Sequence, residues 1–262
     1  MQTSSFLTLV INLDRAPDRM TRLAQRLQAL GMFWERVSAV DGQAIDWRNP
    51  SHLDLDEFHR RHGKSPLSGE VGCYLSHVKA IETFLASAAH YALILEDDIQ
   101  LNDDLPVVLR SLQDCPQAWD LVKLSGVHRG TPVQLQALDD AHDLVVMLSK
   151  CTGASAYVLN RRAAQAFVPA LLPMRIPFDH EFDRAWYWGI QTRAVLPYPC
   201  VHDQAVASTI NYQDRPRRRF VWYRRFPAYA WRLGNVWCQL KYGLGQWLNA
   251  RRTRASGGVS GA

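Results

Sequence analysis

Three consecutive acids, Glu96, Asp97 and Asp98, follow directly on the apolar run at 91–95 (YALIL). A buried strand does not end in carboxylates for packing reasons, because an ionised group in the interior needs a partner or a metal. At the C-terminal edge of a parallel sheet the same acids would enter the crevice where α/β folds take their ligands. Alternation along an extended chain sends Glu96 and Asp98 to one side and Asp97 to the other. Two converging carboxylates suit Mg²⁺ or Mn²⁺, hard cations that accept oxygen ligands and bridge to phosphates. The plainer reading is a solvated acidic turn. Neither GxxxxGK[ST] nor a GxGxxG after the first strand is present, which argues against a P-loop NTPase or a dinucleotide oxidoreductase. A metal beside phosphates would then serve sugar-nucleotide transfer, nucleotidyl transfer or metal-assisted hydrolysis.

The elements around the triplet follow from periodicity. Residues 6–13 (FLTLVINL) form a near-continuous apolar run, expected as a buried strand. Pro17 opens a helix with Met20, Leu23, Leu27 and Leu30 on one face, closed by Gly31. Residues 33–40 alternate as a strand and end at the Asp41-Gly42 turn. Strand, helix, strand implies an α/β domain with a mainly parallel sheet. Polar residues 43–67 read as a loop, and Ser68 as the cap of a helix carrying Val71, Leu75, Val78, Ile81 and Leu85. A further helix (Leu105, Val108, Leu109, Leu112), strands at 121–124 and 144–148, a strand and helix over 155–172, and a last strand at 190–196 complete the body.

The 262 residues are 47% apolar and 21% charged, a composition that excludes a mainly disordered or collagen-like chain. Charge is unevenly placed. From Asn211 onward there are eleven Arg or Lys against one acid, Asp214, for +10; residues 1–210 hold 19 basic and 24 acidic residues, for −5. An acidic body argues against nucleic acid as partner. Five widely separated cysteines without a CxxC pair read as reduced thiols. No basic n-region precedes the first apolar run, so a cytoplasmic protein is expected.

Several segments together carry a resemblance: INLDR (11–15), AVDG (39–42), LSGEVGCYLSH (67–77), LILEDDI (93–99), DLVKLSG (120–126), TGASAYVLNRRAA (152–164) and the acids around Asp179. Over roughly residues 6–210 the chain resembles glycosyltransferase family 25, the bacterial lipopolysaccharide and lipooligosaccharide biosynthesis glycosyltransferases. The resemblance implies a GT-A-like single domain over 1–210 and an inverting transfer of a hexose, galactose most often, from a UDP-sugar to a lipooligosaccharide or related glycan. It places Glu96 and Asp98 at the metal, with Asp97 toward the diphosphate, and Asn12, Asp14, Arg15 and Asp41 where GT-A folds hold uridine and ribose. A divalent ion would stabilise the leaving diphosphate.

Inversion by single displacement needs a base for the acceptor hydroxyl. PFDHEFD (177–183) offers Asp179 first and Glu181 as rival; the competing reading pairs these acids with Arg175 and Arg184 or with acceptor hydroxyls. In CVHDQ (200–204), His202 or Asp203 could complete the coordination begun by Asp98, or be ordinary loop residues. His77 reads as a phosphate-positioning or a structural histidine, and Lys123 as a phosphate contact or a partner of Asp97. Two alternatives stand beside the transferase: a nucleotidyltransferase or phosphodiesterase, and a catalytically inactive carbohydrate-binding protein.

Residues 211–262 form a basic, aromatic extension, with Trp222, Trp231, Trp237 and Trp247 among its arginines. After Pro227, Trp231, Gly234 or Asn235, Cys238, Tyr242 and Leu248 recur at near-helical spacing. This pattern suggests a helix on an anionic membrane surface, peripheral on the inner face of the inner membrane. Packing of these aromatics on the body is the alternative.

Overall fold

The computed structural model describes residues 6–128, 130–202 and 219–257. β1 (Phe6–Asn12) alternates between two cores, Leu9 and Ile11 facing one and Phe6 and Val10 the other. α1 (Pro17–Ala29) starts on a residue whose φ is already helical and buries Met20, Leu23 and Leu27. Gly31, at φ +67°, carries the chain out of the helix in the left-handed conformation. β2 (Glu35–Ser38) then lies parallel to β1.

The stretch 43–67 is not all loop. It contains α2 (Leu55–His62), capped by Asp54, whose carboxylate accepts from the Glu57 N–H at 3.0 Å. Only Phe58 and His62 of this helix are buried, too short a pattern to show a period. α3 (Ser68–Ala86) begins on Ser68 instead of being capped by it; Leu67 is the cap residue, and its N–H donates to Glu70 at 3.1 Å. In order follow β3 (Tyr91–Glu96), β4 (Ile99–Leu101), α4 (Leu105–Asp114), β5 (Leu121–Lys123), β6 (Pro132–Ala137), β7 (Asp143–Met147) and β8 (Ala156–Asn160). Then come α5 (Arg161–Leu171), α6 (Phe178–Phe182), α7 (Ala185–Trp188), β9 (Thr192–Leu196), β10 (Cys200–His202) and α8 (Phe226–Gly257).

Eight strands make one sheet in the order β2-β1-β3-β8-β5-β9-β7-β6, and β4 pairs with β10 in a separate ribbon. The sheet is mixed, not mainly parallel: β1 is parallel to β2 and β3, and β5 to β9, while β8 runs antiparallel to both its neighbours. β8 is buried on both faces, so its apolar run carries no record of direction and reads like a parallel strand. The α/β class stands.

One core lies between the sheet and α2, α3, α5, α6 and α7, the other between the sheet and α1 and α4. Two glycines let the turn after β2 touch α3. A Cβ on Gly72 would lie 2.6 Å from the Gly42 nitrogen, and one on Gly42 would overlap the Ser68 carbonyl. Ser76 fastens the same junction, donating to the Gly72 carbonyl (2.6 Å) and accepting from the Val40 N–H (2.8 Å).

α8 docks one side on the body. Ala228 is buried, the Gln239 amide donates to the Met147 carbonyl (2.6 Å), and the Tyr242 hydroxyl donates to the Ile190 carbonyl (3.0 Å). Trp231 lies within reach of the Arg61 and Arg184 guanidinia. Trp231 and Tyr242, expected on a membrane-facing stripe, therefore face the protein. The expected domain boundary at 210/211 lies outside the described residues.

Candidate functional site

A cavity of about 840 Å³ opens at the C-terminal ends of β1 and β3, roofed by α8 and walled by α3, α6 and the 150–155 segment. All three strand-end acids line it. Their carboxylates go to three different places.

Glu96 continues the sheet face of Ala92 and Ile94, which α3 covers. His77 Nε2 lies 3.2 Å from its Oε1, Cys73 Sγ lies 3.5 Å from the same oxygen, and the Ser155 hydroxyl donates to Oε2 at 2.5 Å. Burial pushes the Glu96 carboxyl up, but His77, Ser155 and Cys73 outweigh it and hold it well below the usual range. The other nitrogen of His77 is 3.1 Å from the Tyr157 hydroxyl, and its ring stacks on Phe178.

Asp97 points to the opposite side, where Asn12 Nδ2 (2.6 Å) and Arg19 Nη1 (3.2 Å) donate to it. Asp98 is different. Its Oδ1 is buried without a hydrogen-bond partner among the described residues, and burial, then the charge of Glu96, push its carboxyl up to about 6. The β4–β10 ribbon pairs His202 with Ile99 and so brings His202 Nδ1 within 3.8 Å of Asp98 Oδ1. His202 thus stands on a strand, not in the expected loop. Asp203 lies outside the described residues.

Mn²⁺ and Mg²⁺ take about six or more oxygen ligands. Among the described residues Asp98 alone of the triplet has an uncommitted carboxylate oxygen. A hard ion would find one protein carboxylate here and not the pair of Glu96 and Asp98, with water or diphosphate oxygens left to supply the rest. Among the described residues, the group that converges as a metal-ligating set is Cys73, His77 and Glu96.

The residues expected near uridine and ribose flank the cavity without lining it. Asn12 is buried; its amide donates to Asp97 and the Ala16 carbonyl, and its oxygen accepts from Arg36. Asp14 pairs with Arg36 and accepts from Ser38, and these hydrogen bonds lower its carboxyl. Arg15 pairs with Asp41. The expected bases separate cleanly. Asp179 lines the cavity, and no hydrogen bond or ion pair engages its carboxylate among the described residues. Glu181 points away, buried against Arg184 at 2.9 Å, and burial raises it to about 6. Arg175 lies nearest Asp54 (3.8 Å), and Lys123 donates to the Cys151 carbonyl and faces Asp183, not Asp97.

Sequence reasoning missed the cavity's cationic side. Lys64, Lys150, Arg219, Arg225 and Arg232 all line it. Lys150 donates to His180 Nε2 (3.0 Å); burial, together with Lys150, Lys64 and Arg232, holds His180 at about 4, although Asp179 pulls the other way. For Arg219, Arg225 and Arg232 the available signal was the net charge of the extension, which said nothing of where it folds; nothing in the pattern marked Lys64 and Lys150.

Residues 6–182 match the family described as Glycosyltransferase family 25 (LPS biosynthesis protein). The chain is 30% identical over 210 residues to the mouse protein named Inactive glycosyltransferase 25 family member 3, covering 72% of this chain and 35% of that protein. It is 30% identical over 145 residues to the human protein of the same name, covering 52% and 24%. It thus spans a quarter to a third of the length of these relatives. Among solved structures it is similar to A197 from STIV, at a TM-score of 0.41 and 11% identity, covering 79% of this chain and 98% of that one. The expectation of an active, metal-dependent hexosyl- or galactosyltransferase is corrected by the relatives: at 28–30% identity, the mouse and human proteins are named inactive and the rat and bovine proteins probable inactive.

Proposed function

The chain belongs to glycosyltransferase family 25, and from that premise we propose that it binds a UDP-sugar in the strand-end cavity without transferring the sugar. The observation that carries this reading is the engagement of the triplet. Transfer from a UDP-sugar develops charge on the leaving diphosphate, which needs a cation held at the acids. Arg19 and Asn12 occupy Asp97, and His77, Ser155 and Cys73 occupy Glu96. Lys150 and Arg225 line the cavity's cationic side and would attract the diphosphate. Calorimetric titration with UDP-galactose and UDP-glucose tests it. Saturable binding, weakened about tenfold by Lys150→Ala or Arg225→Ala, supports the reading; heat-silent mixing with both nucleotides ends it.

The second partner in this reading is a lipid-linked saccharide at an anionic bilayer, met by the outer face of α8. Phe226, Leu233, Trp237, Leu244 and Leu248 recur at helical spacing and are 39–72% exposed. Lys241 lies 5.0 Å from the Trp237 ring and Arg251 4.0 Å from the Trp247 ring, the mixture of aromatic and cationic groups that suits a headgroup layer. No acid follows Asp214, so a second copy of this face would meet like charge, whereas an anionic surface meets opposite charge. No helix among the described residues is long and apolar enough to cross a membrane.

A further inference from the structure

We propose that Cys73, His77 and Glu96 form a binding site for a borderline-soft divalent cation of the zinc type, independent of any sugar nucleotide. Cys73 and His77 stand four residues apart on α3, so both present to one face of the helix, and Glu96 meets them from the end of β3. The two spacings to Glu96 Oε1 are those of a coordination shell. With bonds of about 2.0–2.3 Å, tetrahedral zinc places neighbouring ligand atoms about 3.3–3.6 Å apart. Here His77 Nε2 is 3.2 Å and Cys73 Sγ 3.5 Å from Glu96 Oε1, and the three ligand atoms lie within 4.8 Å of one another.

The surrounding groups orient the ligands as outer-shell partners do. Tyr157 is 3.1 Å from His77 Nδ1, Ser155 donates to the second oxygen of Glu96, and Phe178 stacks on the imidazole at 4.3 Å. All three ligands line the 840 Å³ cavity, which supplies an entry path and a fourth position for water. A thiol, an imidazole and a single carboxylate select against Mn²⁺ and Mg²⁺. On binding, the Cys73 thiol releases its proton to solvent as the S–metal bond forms. His77 binds through the Nε2 lone pair: the proton that Nε2 directs at Glu96 passes through solvent to Nδ1, where it faces the Tyr157 oxygen. Glu96 exchanges the contacts of Oε1 for the metal and keeps Ser155 on Oε2.

The test uses the full chain, stripped with chelator and titrated with Zn²⁺ and, separately, Co²⁺. One metal per chain is expected, with a thiolate-to-cobalt charge-transfer band in the near ultraviolet and a rise in melting temperature. Cys73→Ser and His77→Asn should weaken zinc at least a hundredfold and remove the band and the rise, while Cys238→Ser keeps all three. Absence of the band in the unmutated protein overturns the proposal whether or not the variants fold. So does Mn²⁺ binding as tightly as Zn²⁺, or full retention of the band in Cys73→Ser.

Discussion

His77 Nε2 sits 3.2 Å from Glu96 Oε1, so the first acid of the strand-end triplet closes a bridge from α3 to the sheet. The bridge is itself braced, by Tyr157 behind the imidazole and Ser155 behind the carboxylate. A residue that reads from sequence as a ligand for a hard ion is a structural fastener in the metal-free protein.

Removing one partner leaves a desolvated charge, which costs more than the pair itself contributes. His77→Ala in the metal-free protein should lose about 3 kcal/mol, read from urea denaturation at constant slope. A loss below about 1 kcal/mol would show that Glu96 is already satisfied by Ser155 and Cys73.

Asp98 predicts the opposite sign. Its Oδ1 is buried without a hydrogen-bond partner among the described residues, beside the Glu96 charge. Asp98→Asn removes the Asp98 charge, and at pH 7 the variant should be more stable by up to about 3 kcal/mol, the cost of ionising a carboxyl raised from 3.8 to about 6. A destabilised variant would mean that His202, 3.8 Å away, pairs with the carboxylate in solution.

Glu181 gives a pH signature. Burial raises its carboxyl from 4.5 to about 6 against the pull of Arg184, Arg61 and Arg175, with Tyr74 also in its field. The folded state holds this proton more tightly than the unfolded one. The resulting stabilisation is complete below pH 4.5 and disappears as pH rises through about 6. Between pH 4.5 and 7, Glu181→Gln should therefore gain on the unmutated protein by about 2 kcal/mol, whatever its absolute stability. Parallel stability curves would contradict the raised value.

Much of this arrangement was legible in the sequence, and the exceptions have physical causes. The β1–α1–β2 unit, α3 and β3 follow from the apolar pattern: β1 and β3 are continuous runs buried on both faces, and α1 buries one face. Strand direction does not: β8 is buried on both sides, so no alternation marks it as antiparallel. The ribbon that brings His202 to 3.8 Å from Asp98 is two three-residue strands, too short for a pattern. Composition identified the extension as cationic and aromatic. It could not show that Trp231 and Tyr242 turn inward, since that depends on the Ile190 carbonyl needing a donor and on two arginines flanking the indole.

The exposed stripe of α8 predicts adsorption to vesicles containing anionic phosphatidylglycerol, weakened by salt and absent on neutral phosphatidylcholine. Leu233→Ser with Trp237→Ser should reduce sedimentation with the anionic vesicles severalfold while leaving UDP-sugar binding unchanged. Undiminished sedimentation would remove this face as the anchor. RNA binding lost in the same variant would replace the bilayer with a nucleic acid.

Binding without turnover is tested most directly by measuring both on one preparation. UDP-galactose binding is followed by calorimetry, and UDP release is recorded with Mn²⁺ present, with and without a panel of mono- and oligosaccharide acceptors. The account predicts saturable binding and UDP release equal to that of heat-denatured protein. Acceptor-dependent UDP release that yields a glycosylated product, and is lost in Asp98→Asn, would contradict it.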